Sequence, residues 1–481
     1  MQLSHLQRNE YDIMLKKDFF SPGSSSITQK LDRFMTTPVY IMVSMALTLI
    51  SNIFGAELMV YTLFVLTVVY VCLFGRDLLP VIPLVICSYL APSVHNNPGR
   101  NKDSIFSAAG GGMVVAILAV ITALALIYLV IRDRKAIFGR KYALLGGMLI
   151  LSATYLLGGI GSKHYTDHAS QSIFFAFLNS AAIIVPYLLF AGFVDWSNAR
   201  KDYLAWVGFG VGCLLLCEVG WIYLTGNVIQ SGIIQRSAIY TGWGMYNNIG
   251  STLAMMIPFP FYIATKYRKG WIGTLAGSLF LVGVVLTCSR ASILCGGAIY
   301  CICVVLMLYF ANNRKANTFT VVLFIGGIFV LVMFFGEHLL NLFSSLLDQG
   351  LDPSNRDSIY RDGLMLFSKY PLFGGSFFST EYAPWGWSTN AAFTSFFPPR
   401  WHNTYVQLLA SCGVVGLAAY GLHRWQTVKL FLQDRRPEKI FIACSIIVLL
   451  TTSLFDCHFF NIGPALFYSM TLAFAENCTE N

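Results

Sequence analysis

The stretch GGMVVAILAVITALALIYLVI, residues 111–131, runs 21 positions without a charged side chain, and Arg132, Asp133, Arg134 and Lys135 follow at once. A helix needs about 20 mostly apolar residues to cross the hydrocarbon core of a bilayer. An apolar run of that length, closed abruptly by charge, reads as a membrane span that ends at a water interface.

Working outward, the same pattern recurs along the chain. Spans are expected at 38–54, 58–75, 77–93, 111–131, 142–161, 170–194, 203–223, 248–265, 271–288, 291–310, 318–336, 403–421, 440–456 and 459–475. The fold class that follows is all-α, a polytopic bundle of about 12–14 transmembrane helices. Composition agrees: of 481 residues, 56% are hydrophobic and 11% charged, whereas soluble domains carry about a quarter charged residues. The aromatic content of 15% suits a protein with two interfaces to anchor.

Charge gives the orientation. With the N-terminus inside and the spans alternating, only Arg100, Lys102, Lys163, Arg236, Arg290, Arg356, Arg361, Lys369 and Arg400 fall outside. The other 23 of the 32 Lys and Arg, Arg132, Arg424 and Arg436 among them, fall in cytoplasmic segments. This is the positive-inside pattern, and it accounts for the net charge of +9 without a nucleic-acid partner. The expected organisation is a cytoplasmic tail over 1–37 with no cleavable signal peptide, helices 1–11 over 38–336, an external loop over 337–402, helices 12–14 over 403–476 and a cytoplasmic end at 477–481. The lipid bilayer is therefore one partner. The 12 cysteines read as small apolar packing residues. No pair has zinc-ligand spacing, and no phosphate-binding G-x-x-x-x-G-K loop is present, so neither metal nor cofactor is expected. His164 and His168 are spaced i, i+4 but lack a third ligand nearby.

The external loop of 66 residues is the informative part, since a connection that long is usually functional or disordered. It is rich in aromatics, which argues against disorder. Asp352-Pro353-Ser354-Asn355 supplies a helix start, Arg356 to Lys369 follows, and Pro371 with Gly374-Gly375 stops it. Phe377 to Trp401 then carries nine aromatics, readable as an interfacial belt or as a sugar platform.

Three helix starts on this face carry a cation or a histidine. Ser289-Arg290 opens the tenth span, Arg356 lies in the first turn of the loop helix, and His402 in the first turn of the twelfth span. Helix N-termini have unpaired N–H groups and partial positive charge, so they suit phosphate, and an arginine beside one adds a donor fork. The same dipole disfavours an imidazolium, which leaves His402 able to accept a proton. Arg361, five positions from Arg356, faces another way. Glu218, deep in the seventh span, either contacts substrate or pairs with a neighbouring helix. Asp456 and His458, at the outer turn of the last two spans, are equally open.

These residues carry a resemblance. His402-Asn403, nine residues, then Gly413-Val414-Val415-Gly416 resembles the H-N-x9-G-x-x-G signature of the O-antigen ligase and polymerase superfamily. Asn247-Asn248 with Ile257-Pro258, Thr287-Cys288-Ser289-Arg290-Ala291, and Arg356-x-x-Ile359-Tyr360 with Tyr370-Pro371-Leu372-Phe373-Gly374-Gly375 resemble its other motifs in the same order, with Tyr360 where the family usually has Trp. The resemblance spans about 240–460 and implies a metal-independent, inverting glycosyltransferase of the GT-C type in the bacterial inner membrane. Such an enzyme moves a glycan from undecaprenyl diphosphate to an acceptor hydroxyl, on a glycan or lipid-linked acceptor, at the outer face. Arg290 and Arg356 would grip the diphosphate and His402 would serve as base. Arg361, Arg400, Arg236, Tyr360, Asn403 and Glu218 are candidate substrate contacts. Polymerase is the expected subclass, with ligase beside it, and other polysaccharide-assembly proteins are possible partners. A flippase for lipid-linked oligosaccharide is the rival class, although the chain lacks the internal repeat expected of a transporter. A non-catalytic envelope scaffold is another.

Overall fold

The two helices Gly111–Arg132 and Arg314–Leu342 turn their leucines, isoleucines, valines and phenylalanines outward, with only 6% of each apolar window buried. Apolar surface on that scale is untenable in water and ordinary in lipid. The computed structural model describes residues 26–75, 77–91, 111–196, 200–241, 244–344, 356–379, 381 and 400–477. Among these the architecture is an all-α membrane bundle, relieved by two short antiparallel ribbons, Ile229–Gln230 with Ile233–Ile234 and Tyr240–Thr241 with Gly244–Met245.

Every expected span contains helix, but the helices differ in length. Seven described helices are long and apolar enough to cross a bilayer: Glu57–Phe74, Gly111–Arg132, Ala169–Phe193, Tyr203–Thr225, Arg290–Phe310, Arg314–Leu342 and Thr404–Leu432. Others are shorter, such as Val81–Leu90, Leu145–Leu157 and Trp271–Leu286. The apolar runs in the sequence include turns and breaks as well as helix. The stretch 248–265 is two helices, Tyr246–Met256 and Pro258–Lys266, broken at Ile257. Pro258 lacks the N–H that would continue the ladder.

The centre of the bundle is the last helix, Ile462–Asn477, buried along nearly its whole length and packed against Ala169–Phe193. Its aromatics meet others edge-on, Phe474 with Trp196 at 5.2 Å and Phe467 with Phe259 at 5.5 Å. The basic helix ends gather on one face. Arg200 pairs with Asp77 and Lys266 with Asp202; Arg436 and Lys439 both reach Asp434, at 2.7 and 3.1 Å. Partial burial works against the Asp434 charge, but those two cations hold its carboxyl down at about 2. This is the face that the charge pattern assigns to the cytoplasm.

The expected span 403–421 is not one straight helix. Thr404–Leu432 is interrupted at Gly413, whose φ of 65° and ψ of −163° are not helical. Tyr405 and Tyr420 would stand about 22 Å apart along a straight helix, yet their rings meet edge-on at 5.7 Å. The chain therefore folds back at Gly413. The reversal carries Arg424, expected in a cytoplasmic segment, into an aromatic pocket, 4.4 Å from the Phe459 ring centroid and 4.7 Å from that of Tyr468. The loop segment 371–375 clamps the turn. Val414 N–H donates to Pro371 O at 2.9 Å, Val415 N–H to Leu372 O at 3.3 Å, and Gly375 N–H to Ala410 O at 2.7 Å. These bonds satisfy backbone groups that a broken helix would leave bare.

A side chain at Gly413 would meet Leu372 O at 2.2 Å and Gly374 N at 2.7 Å, in a backbone region that disfavours any Cβ. Gly413→Ala is therefore expected to cost at least about 2 kcal/mol of stability. Gly421→Ala, which meets nothing within 4 Å, should be neutral. Thermal unfolding of both variants in detergent checks this, and equal midpoints would contradict the clamp.

Candidate active site

The loop helix Arg356–Lys369 lies against the first part of Thr404–Leu432. A small separate core of Leu366, Trp401 and Ala410, flanked by Ile359, Tyr370 and Val406, joins them. Gly363 permits the approach, since a Cβ there would meet Val406 at 2.6 Å and Trp401 at 3.1 Å. This packing brings Arg356 and Tyr360 alongside His402.

His402 lies just outside its helix rather than in the first turn. Asn403 is the N-cap: its side chain accepts from Tyr405 N at 2.8 Å and Val406 N at 3.1 Å, the usual task of an asparagine at that position. His402 is left with a positive φ of 48°, a conformation that costs a non-glycine residue roughly 1–2 kcal/mol. The surroundings hold it there. Tyr360 Oη donates to the His402 carbonyl at 3.2 Å, Asn403 Nδ2 to Leu454 O at 2.9 Å, and Thr404 N to Ser453 O at 2.9 Å.

Asp456 stands behind the ring, its Oδ1 3.4 Å from His402 Nδ1. That is longer than a formed N–H···O bond and acts as an electrostatic contact. The same oxygen accepts from Cys457 N at 2.7 Å. The His402 side chain is 40% exposed and that of Asp456 10%, so a ligand reaches the imidazole and not the carboxylate. Burial opposes the Asp456 charge, but the contacts with His402 and His458 and the positive field of Arg400 outweigh it and hold the carboxyl well below its usual range. An ionised carboxylate at Nδ1 favours the tautomer protonated there and leaves Nε2 as an acceptor.

A buried polar chain leads from this cluster to the Arg290 helix start. His458 Nε2 lies 2.9 Å from Ser251 Oγ, Ser251 Oγ 3.1 Å from Ser292 Oγ, and Ser292 Oγ 2.8 Å from Ser289 Oγ, which donates to Asn247 Oδ1 at 3.0 Å. Nearby, Asn461 Nδ2 donates to Asn248 Oδ1 at 3.2 Å. Gly250 allows the helices to approach this closely, since a Cβ would meet Thr287 Oγ1 at 2.6 Å. Burial, opposed by Asp456 and reinforced by Arg400 and Arg356, lowers the basicity of His458.

The expected cations are brought together unequally. Arg356 and Arg400 both act electrostatically on His458, and Arg400 also on Asp456. Arg290 begins its helix immediately after the cap Ser289, so it stands at the far end of the same polar chain. Arg236 lies over the Tyr246 ring at 5.2 Å, next to Asn247. All four are only partly exposed. Arg361 instead faces outward, lining a shallow surface groove with Asp357, Leu364 and Ser368. Glu218 is buried away from these residues: Asn52 Nδ2 donates to its Oε1 at 2.5 Å. Of its two sequence readings, the observed one is pairing with a neighbouring helix.

Sequence reasoning named Asp456 and His458 but gave them no partner, because their partners His402 and Ser251 lie far away in the chain. Ser251 and Ser292 carried no signal at all, being small residues inside apolar stretches. Of the loop aromatics, Phe377 and Phe378 pack into the core against Phe175, at 5.0 and 6.1 Å, and are not a platform. Those at 382–397 lie outside the described residues. The arrangement offers the positive charge of Arg356 and Arg400 near a reachable imidazole backed by a carboxylate. It suits holding an anionic group while a proton is taken from an incoming hydroxyl.

Comparison with curated proteins gives no match. Comparison with protein families matches O-antigen ligase over residues 275–421. The matched segment holds the Arg290 helix start, the loop helix, the His402–Asn403 turn and the Gly413 reversal. On that match, residues 275–421 are similar to an O-antigen ligase domain.

Proposed function

We propose that the protein is a membrane glycosyltransferase that passes a glycan from undecaprenyl diphosphate to an acceptor hydroxyl at the outer face of the bacterial cell membrane. The observation that carries this reading is the meeting of Arg356, Arg400 and the His402–Asp456 pair at one site. A helix start bearing Arg290 joins the same polar network.

In this reading the acceptor oxygen attacks the anomeric carbon with inversion. The bond from that carbon to the diphosphate breaks, its electron pair leaving with the phosphate, and the hydroxyl proton goes to His402 Nε2. The leaving group departs as an anion, so fixed positive charge in a water-poor site lowers the barrier. Arg290, Arg356 and Arg400 supply it, with Arg236 in reserve at the ribbon, and this assigns no role to a metal. Asp456 steadies the imidazolium that forms. Polymerisation of a surface or capsular polysaccharide is the preferred subclass, and ligation differs only in the acceptor. The rival reading as a flippase draws on the many helices and leaves the His402–Asp456 pair without a task.

Three outcomes follow. His402→Ala should fail to restore surface glycan in a deletion strain while expressing normally in the membrane. Single lipid-linked units would then accumulate for a polymerase and long unattached chains for a ligase, whereas full restoration would leave His402 a mere interfacial residue. Asp456→Asn keeps the acceptor for Cys457 N and removes the charge behind the base. It should slow transfer by roughly 10–100-fold at unchanged thermal stability, and a wild-type rate would sink the pairing. Treatment with EDTA should leave the transfer rate of the purified protein unchanged, and a loss restored by a divalent cation would overturn the arginine-only account.

A further inference from the structure

Helix Arg314–Leu342 is longer than a bilayer core is thick. Its 29 residues span about 43 Å at 1.5 Å each, against about 30 Å of hydrocarbon. Arg314 and Lys315 hold its first turn at the cytoplasmic interface. Leu331 and Phe335 therefore stand near the outer edge of the hydrocarbon, with His338 and Asn341 one to two turns above. Along this stretch a groove of about 770 Å³ runs between the helix and the tip of the ribbon 229–234. Leu331, Phe335, Leu339 and Ile233 form its apolar wall, and His338 and Asn341 its polar rim. Leu331 and Phe335 are 48% and 55% exposed, so the groove is open to what surrounds the helix. The ribbon tip is a fixed edge. Ser231 and Gly232 have φ of 51° and 77°, the pair of positive values that closes a tight two-residue hairpin.

The same ribbon leads to the candidate active site. Arg236 follows it after Gln235, lies over the Tyr246 ring at 5.2 Å and acts electrostatically on Cys288, two residues before Arg290. Asn247, next to Tyr246, accepts from Ser289 at the Arg290 helix start, at 3.0 Å. A molecule that uses this surface needs an apolar chain at hydrocarbon depth and an anionic head that passes the polar rim to reach two arginines. A free glycan would leave the apolar wall bare. We propose that the groove is the lateral docking site for the polyprenyl chain of the lipid diphosphate donor, with the ribbon as the step over which the diphosphate reaches Arg236 and Arg290. The inference rests on the transferase reading above for the identity of the donor and adds where its chain leaves the bilayer. Lipid tails hold an apolar chain as well as the groove does, so the groove acts by shape and packing. It fixes the point of departure of the chain and so positions the head.

Filling the groove without adding polarity tests this. Leu339→Trp narrows it, and Phe334→Trp, at a residue 78% exposed and outside the groove, is the matched control. The full-length proteins would be placed in nanodiscs of phosphatidylethanolamine and phosphatidylglycerol, and their affinities for undecaprenyl diphosphate and for inorganic diphosphate measured with thermal stability. The expected result is a Leu339→Trp protein that binds undecaprenyl diphosphate roughly 10-fold more weakly, with inorganic diphosphate affinity and stability unchanged. Phe334→Trp should match wild type throughout. Unchanged undecaprenyl diphosphate affinity in Leu339→Trp would overturn the inference. So would an equal loss of both affinities, since the effect would then lie on the head site or the fold, and so would a wild type that binds no undecaprenyl diphosphate. A photoreactive benzoylphenylalanine in place of Phe335 should crosslink to added undecaprenyl diphosphate, and labelling of bilayer phospholipid alone would make the groove an ordinary lipid contact and overturn the inference. If the groove binds the chain as expected but wild type leaves lipid-linked glycan untransferred, it is the transferase reading that fails.

Discussion

The reversal at Gly413 is the constraint on which the rest depends. A helix that breaks inside a membrane exposes backbone groups that lipid cannot satisfy. Here the loop segment 371–375 satisfies them through bonds from Val414, Val415 and Gly375. The clamp does two things at once. It makes the fold-back tolerable, and it ties the loop helix to the short arm that begins at Thr404. The core of Leu366, Trp401 and Ala410 and the Tyr360 bond to the His402 carbonyl add to that tie, and Asn403 and Thr404 bond the same turn to Leu454 and Ser453, next to Asp456.

Burial then sets the electrostatics. Asp456 is shielded from water and stays ionised beside His402 and Arg400, while the nearby His458 is held at low basicity by desolvation first and then by the charges of Arg400 and Arg356. Two titratable groups, two residues apart, are thus both pushed down, which keeps the carboxylate charged and opposes charge on the imidazole. That is a common signature of a site arranged for chemistry. The serine chain from His458 to Asn247 carries the order of this cluster across to the helix that starts at Arg290, so that motifs far apart in sequence share one hydrogen-bonded network.

Much of the fold was legible in the sequence. Apolar runs such as 111–131 and the uneven distribution of Lys and Arg are consequences of the bilayer, and the bilayer acts on every stretch of that length. Breaks within those runs were harder. Pro258 signalled one. Gly413 sits in a run of small and apolar residues, and its positive φ follows from contacts with a loop some forty positions earlier. The site was legible in part for the same reason. Arg290, Arg356 and His402 stand at helix starts, which local sequence marks, and Asn403 is a recognisable cap. Asp456, His458, Ser251 and Ser292 acquire meaning only through tertiary contact. Arg361 and Glu218 show the converse: a charge in a suggestive place faces outward in one case and accepts a hydrogen bond from Asn52 in the other.

The central claim is that the site breaks the bond between glycan and diphosphate. The most direct measurement is release of free undecaprenyl diphosphate by the purified protein in lipid vesicles, supplied with lipid-linked glycan and followed together with the sidedness of that glycan. The account predicts that undecaprenyl diphosphate appears in step with glycan transfer, and that Arg356→Ala abolishes both while leaving the protein folded. Movement of intact lipid-linked glycan across the bilayer, with no undecaprenyl diphosphate released, would contradict it and make the protein a transporter.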